Sequence, residues 1–126
     1  MQAFLLVGAG GALGAMGRYG VGVLVGRMGF TGFPYATMIV NILGSLLMGL
    51  LVGILARTTP EHQAELRLFI AVGALGGFTT FSSFSLDAIT LMERGQLGAA
   101  LFYIVTSVIF GVIALYLGLV VMRAGA

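Results

Sequence analysis

The residues with chemistry to offer are few and lie close together. Residues 76–85 read GGFTTFSSFS, which sets the hydroxyls of Thr79, Thr80, Ser82, Ser83 and Ser85 among the rings of Phe78, Phe81 and Phe84. Polar groups in so apolar a stretch ought not to be in lipid without a use, which makes them functional candidates. Upstream, Thr37, Asn41 and Ser45 recur every fourth residue inside the apolar run ATMIVNILGS, so on a helix they form one polar stripe. Arg18 lies within apolar sequence, where an ionisable side chain is a functional candidate by default. Each of these residues also has a structural reading. An asparagine can join helices for about 1 kcal/mol or less, an arginine can snorkel to an interface, and two phenylalanines three residues apart can simply pack a core. Asp87, two residues past the motif, is expected near an interface or paired with an arginine. His62 sits in a charged segment, and a single histidine makes no metal site.

The elements that must carry these residues are membrane helices. The 126-residue chain is 60% hydrophobic and only 8% charged, against about a quarter charged in a soluble domain. It reads as an all-α integral membrane protein with four transmembrane helices, over residues 4–26, 36–56, 66–92 and 97–122. Each span meets the ~20 residues needed to cross a ~30 Å hydrocarbon core. The connections are short: MGFTGFP, RTTPEHQAE and ERGQ. The first span has no basic leader region and is read as retained, so residues 1–126 form a single membrane domain. With no cysteine, disulfides and thiolate metal sites are excluded. All six basic residues are arginines scattered singly, so no basic face for nucleic acid can be assembled. The glycine run GAGGALG at Gly8–Gly14 is not a dinucleotide loop. That fingerprint needs an acidic residue about 20 positions on, and the first acid here is Glu61.

The motif itself is poor helix material. Gly76 and Gly77 weaken a helix, and Thr79 and Thr80 compete for its backbone groups, so a break is expected within residues 76–80 of the third span. Carbonyls freed at membrane depth must find protein, water or an ion, and a two-fold axis through the break would join two sets into one cage. Charge points to such an axis. With four spans, Arg57, Arg67 and Arg123 fall on one side and Arg27 and Arg94 on the other, too even a split to fix topology. The chain is therefore expected to insert both ways and pair as an antiparallel, dual-topology homodimer; the alternative is that a partner or one loop arginine fixes a single topology. Four helices have too little girth to enclose a polar path alone. The glycine pairs 10/14, 22/26, 49/53 and 73/77 permit close helix contacts of the kind a dimer uses.

The string GGFTTFSSFS, preceded by ATMIVNILG and by GALGAMGR in the first span, resembles the small fluoride channels of bacteria, the CrcB or Fluc family. The likeness covers essentially the whole chain in length, span number and motif order. It implies a dual-topology homodimer in the cell inner membrane, surrounded by lipid, with two antiparallel pores that let cytoplasmic fluoride leak out passively. It also implies a structural sodium ion (Na+) at the dimer centre, held by the backbone carbonyls of Gly76 and Thr79. By position, Phe81 and Phe84 match the family's pore phenylalanines and Asn41 its pore asparagine. Ser82 and Ser83 match a hydroxyl track, Arg18 the arginine of the first helix, and Tyr103 and Ser107 pore-side positions of the fourth; Thr37 joins them through its place on the Asn41 stripe. Gly111 and Leu115 stand where relatives carry serine and threonine. No organic cofactor or catalytic group is implied. The competing readings are a small four-helix multidrug or cation exporter, which would need a membrane-embedded acid and finds only Asp87, and a non-transporting scaffold subunit, which leaves Asn41 and the hydroxyl run without a purpose.

Overall fold

The protein is described by a computed structural model covering residues 1–58 and 60–125. Its elements are α1 (Gln2–Arg27), α2 (Tyr35–Thr58), α3 (Gln63–Leu66), a π-helical stretch Arg67–Leu75, α4 (Gly76–Phe78), α5 (Phe81–Glu93) and α6 (Leu97–Ala124). Among the described residues four segments are long and apolar enough to cross a membrane: α1, α2, the composite span Gln63–Glu93, and α6. The turns between them end helices in ways their residues dictate. Gly29 after α1 and Gly95 after α5 take φ of +84° and +78°, the left-handed conformation that glycine enters without a Cβ penalty.

The helices pack as two close pairs. α2 lies along α6, and α1 lies along the π-helical stretch and α4. Glycine makes both seams possible. A Cβ on Gly49 would run into the Leu115 carbonyl oxygen, and one on Gly118 would stand 2.6 Å from that of Leu46. On the other seam, Gly10 and Gly14 press against the carbonyls of Phe69 and Ala74. Three of the four glycine pairs expected at helix contacts are therefore used inside the chain. The fourth, Gly22 and Gly26, meets nothing within 4 Å. Large apolar side chains mostly face outward, among them Phe4, Leu5, Tyr19 and Val112. Lipid tails solvate such surface as well as a protein core would, so the fold does not have to hide it. A small buried cluster of Ala88, Leu91, Ala100 and Tyr103 joins α5 to α6, with Phe33 and Phe84 packed on it.

The third span is interrupted near its middle, and the position sharpens the sequence expectation. Gly76 and Gly77 remain helical, whereas Thr79 (φ −85°, ψ 160°) and Thr80 (φ −155°, ψ 123°) are extended. Gly77 serves packing instead: a Cβ there would lie 2.5 Å from the Gly11 carbonyl oxygen. The π-helical winding just before it, Arg67–Leu75, is rare at nine residues and has no signature in the sequence.

Candidate functional site

The break is held open by one side chain. Asn41, on α2, donates from Nδ2 to the Thr80 carbonyl at 2.9 Å and accepts the Thr80 N–H on Oδ1 at 2.7 Å. A primary amide carries a donor and an acceptor side by side, so it pairs with both backbone groups of one residue as a strand neighbour would. The consequence lies one turn back. In a continuous helix the Thr80 N–H would close on the Gly76 carbonyl; here it is turned away to Asn41. The Thr80 hydroxyl does the same one turn on, accepting the Ser83 N–H at 3.1 Å, which would otherwise close on the Thr79 carbonyl. This is an N-cap for α5. Thr79 turns its own hydroxyl back to the Leu75 carbonyl at 2.9 Å, and its methyl fits where Gly44 has no side chain.

Two cavities lie at the break, and a third adjoins them between α2 and α6. One of about 390 Å³ is lined by Arg18, Thr37, Thr80 and Ser83 among others. The second, about 320 Å³, is bounded by Asn41, Ser45, Thr79, Thr80, Phe81 and Leu115. A third of about 370 Å³ lies against Ser45, Ser107, Gly111 and Leu115. Thr80 belongs to the first two, and Ser45 and Leu115 to the last two, so the three are neighbours. Arg18 is tied in place by its Nε, which donates to the Gly77 carbonyl at 3.2 Å. It anchors to the span carrying the break, with the rest of its guanidinium at the cavity. Ser45 donates to the Asn41 carbonyl at 2.7 Å. The Ser107 hydroxyl is buried and has no partner among the described residues, and Gly111 leaves open space beside Ser45, its missing Cβ 3.7 Å from the Ser45 hydroxyl.

The aromatic residues form a second line. Phe81 and Phe84 stand with ring centroids 5.9 Å apart, and Phe84 is 5.1 Å from Tyr103. Phe81 is 79% exposed, whereas Phe84 is half-buried. Ser82 points outward, its hydroxyl 3.4 Å from that of Thr80. Tyr103 is fully buried and lines none of the three cavities; its hydroxyl donates to Asp87 at 3.1 Å. Of the two places expected for Asp87, near an interface or paired with an arginine, its carboxylate takes a tyrosine partner, and it borders a small cavity with the connecting residues 31–34 and Arg94. Thr80 is the residue that the sequence undervalued. It carries both Asn41 bonds and the cap of α5, and its signal was a threonine three residues before a serine at the start of an apolar helix. His62 lies in the exposed segment with Glu65 at 3.2 Å. Among the described residues no three His, Cys, Asp or Glu side chains come together as a metal site. Any cation at the break would rest on backbone oxygens, and the Gly76 and Thr79 carbonyls, both deprived of their helical donors, fit a hard ion.

Fold and site together define a multi-pass membrane protein with a polar seam beside a helix break, the architecture of a small ion channel. The chain belongs to the CrcB family: the family model described as "CrcB-like protein, Camphor Resistance (CrcB)" matches residues 5–119. Similar proteins include the fluoride-specific ion channel FluC of Agrobacterium fabrum, 51% identical over 118 residues and 94% of each chain. FluC of Rhodospirillum centenum is 50% identical, and that of Phenylobacterium zucineum 51%, each over 123 residues, 98% of this chain and 97% of theirs. The names of these relatives describe channels and not enzymes, and they do not favour a multidrug exporter.

Proposed function

We propose that this chain is a fluoride channel, formed when it pairs with a second, antiparallel copy of itself, and that fluoride leaves the cell through it passively. Phe81 carries this reading. A phenylalanine 79% exposed in the single chain, beside a cavity whose walls include Asn41, Ser45, Thr79 and Thr80 as well as the apolar Met48 and Leu115, is one side of a passage that needs a second chain to close it. The even distribution of arginines over the two sides supports an inverted mate. The relatives at about half identity, named as fluoride-specific channels, supply the ion.

The chemistry suits that ion. Fluoride is small and tightly hydrated, so a passage must replace water with close donors yet release the ion at each step. The edges of Phe81 and Phe84 and the hydroxyls of Thr37, Ser82, Ser83 and Ser107 offer partial charges in sequence. Asn41 keeps its amide engaged with Thr80, so its part is to hold this wall in shape. The single full charge, Arg18, stands in the first cavity, where it raises the local anion concentration without sitting between the rings. Gly76 and Thr79 would hold a sodium ion through their carbonyls, with the same pair from the mate; the ion supplies the positive charge that neutralises converging oxygens at the two-fold axis. Hydrogen fluoride enters cells neutral and dissociates inside, so a passive route for the anion suffices to expel it.

The test is efflux from proteoliposomes read with a fluoride electrode and run against chloride. Wild-type protein should release fluoride and retain chloride. Phe81→Ile and Phe84→Ile should each stop fluoride release while eluting as wild type in size-exclusion chromatography; normal release from both variants would remove these rings from the pathway.

A further inference from the structure

Asp87 is the one acid within the composite span's apolar part, and the pathway described above leaves it without a task. Its surroundings assign one. Asp87 and Phe84 stand one turn apart on α5, and both engage the same residue of α6: the Phe84 ring lies 5.1 Å from the Tyr103 ring, and the Asp87 carboxylate accepts the Tyr103 hydroxyl at 3.1 Å. Tyr103 is wholly buried, and the edge of Phe33 closes it from a third side at 5.5 Å and 88°. The Tyr103 ring is thus held by two neighbouring rings and, through its hydroxyl, by Asp87. The Phe84 ring that leans on it is fixed from behind, with Phe81 in front. The half-buried carboxylate faces the Tyr103 hydroxyl, and the other charged group at its cavity is Arg94; the two do not form an ion pair.

The geometry points to Asp87 as a positioning residue for fluoride passage, holding the Tyr103 hydroxyl so that the Tyr103 ring sets the angle at which Phe84 presents its edge to the anion. This rests on the channel reading above. Ring edges attract an anion and ring faces repel it, so a modest rotation of Phe84 changes the sign of what the ion meets. The role asks for an acceptor oxygen at residue 87 and not for its charge.

Fluoride and chloride efflux from proteoliposomes separates the possibilities. Asp87→Ala should slow fluoride release about tenfold, the upper end of what one ordinary hydrogen bond accounts for, and should narrow the margin over chloride. Tyr103→Phe, which keeps the ring and its burial, should do the same. The double variant should be no slower than the slower single one, because both remove one bond. Asp87→Asn retains an acceptor oxygen and should recover most of the rate. If Asp87→Asn is as slow as Asp87→Ala, the carboxylate acts through its charge and the proposal is overturned. Additive losses in the double variant overturn it as well. Should Asp87→Ala not elute as wild type does, Tyr103→Phe decides alone, and a wild-type rate and selectivity there refute the clamp. Wild-type protein that moves no fluoride defeats the channel reading itself, whatever the variants do.

Discussion

The seam between α2 and α6 and the seam between α2 and the break are built from opposite materials. Along the first, Gly49 and Gly118 bring backbone against backbone, and a Cβ at either would meet a carbonyl oxygen. Along the second, side chains bond to backbone groups: Asn41 to Thr80, Thr80 to Ser83, Thr79 to Leu75. The first is closed where Gly49 and Gly118 meet the facing backbone, and opens only further along, beside Ser45, Ser107 and Gly111. The second runs beside two neighbouring cavities at the break itself. In a membrane, where burying apolar surface gives little drive for helix association, tight glycine contact supplies cohesion. Polar groups can then be assigned to a place that must stay open. The glycine seams are the scaffold, and the hydroxyl seam is the working surface they hold apart.

The largest effect should come from filling a glycine seam. Gly14 on α1 presses against the Ala74 carbonyl, and a leucine there has no rotamer that avoids backbone. Gly14→Leu should yield no monodisperse protein in mild detergent, and Gly49→Leu should behave alike on the other pair. Either variant purifying with wild-type elution and melting temperature would show that these contacts yield and do not hold the fold.

A smaller effect is expected at the working surface. Asn41→Ala removes both bonds to the Thr80 backbone and strands two polar groups, at a cost of about 2–3 kcal/mol. The chain should still fold, because the glycine seams are untouched, but fluoride efflux should fall by at least about a hundredfold as the break loses its shape. Asn41→Asp keeps an acceptor for the Thr80 N–H and loses the donor to its carbonyl, so it should fall between. Wild-type efflux from Asn41→Ala would separate the break from the pathway.

Thr80→Val should cost less again. It preserves the branched shape and removes the hydroxyl that accepts the Ser83 N–H, a cap loss of about 1 kcal/mol. Read by thermal unfolding in detergent, the shift should be clearly below that of Asn41→Ala. An equal shift would mean that the hydroxyl, and not the asparagine, holds the break.

The scaffold was more legible in the sequence than the working surface. Four spans follow from length and apolar composition, and the glycine pairs at 10/14, 49/53 and 73/77 follow from spacing, because a helix places residues four apart on one face. The break was legible as a region and not as a position. Residue propensity allowed it anywhere in residues 76–80, through Gly76 and Gly77 or through Thr79 and Thr80, and the chain breaks at the threonines because Asn41, 39 residues away, captures the backbone N–H and carbonyl of Thr80. Local propensity cannot see a partner on another helix. For the same reason the Asp87–Tyr103 bond was not legible, its partners being sixteen residues apart and on different helices. Residue type alone suggested an interface position or an arginine partner. The π-helical winding at Arg67–Leu75 was illegible for a different reason: its residues, RLFIAVGAL, are ordinary helix formers, and nothing in their pattern separates a five-residue from a four-residue hydrogen-bond step.

Gly22 shows where spacing misleads, and it gives the smallest effect. With Gly26 it has the same four-residue interval as the pairs that pack, but among the described residues a Cβ at either position would meet no neighbouring element within 4 Å. Gly22 instead borders the cavity that holds Arg18, Thr37 and Ser83. A spacing motif permits close approach; it does not supply the opposing helix. A methyl at this position therefore meets no backbone, and alanine in a helix interior is favoured over glycine by roughly 0.5–1 kcal/mol. Gly22→Ala should leave elution unchanged and raise the melting temperature slightly, where Gly14→Ala, with the Ala74 carbonyl in the way, should lower it. Matching losses from both variants would mean that the Gly22 face is covered as tightly as the Gly14 face. The contrast between a closed seam and an open one would then fail on α1, where the two glycines sit two turns apart on one helix.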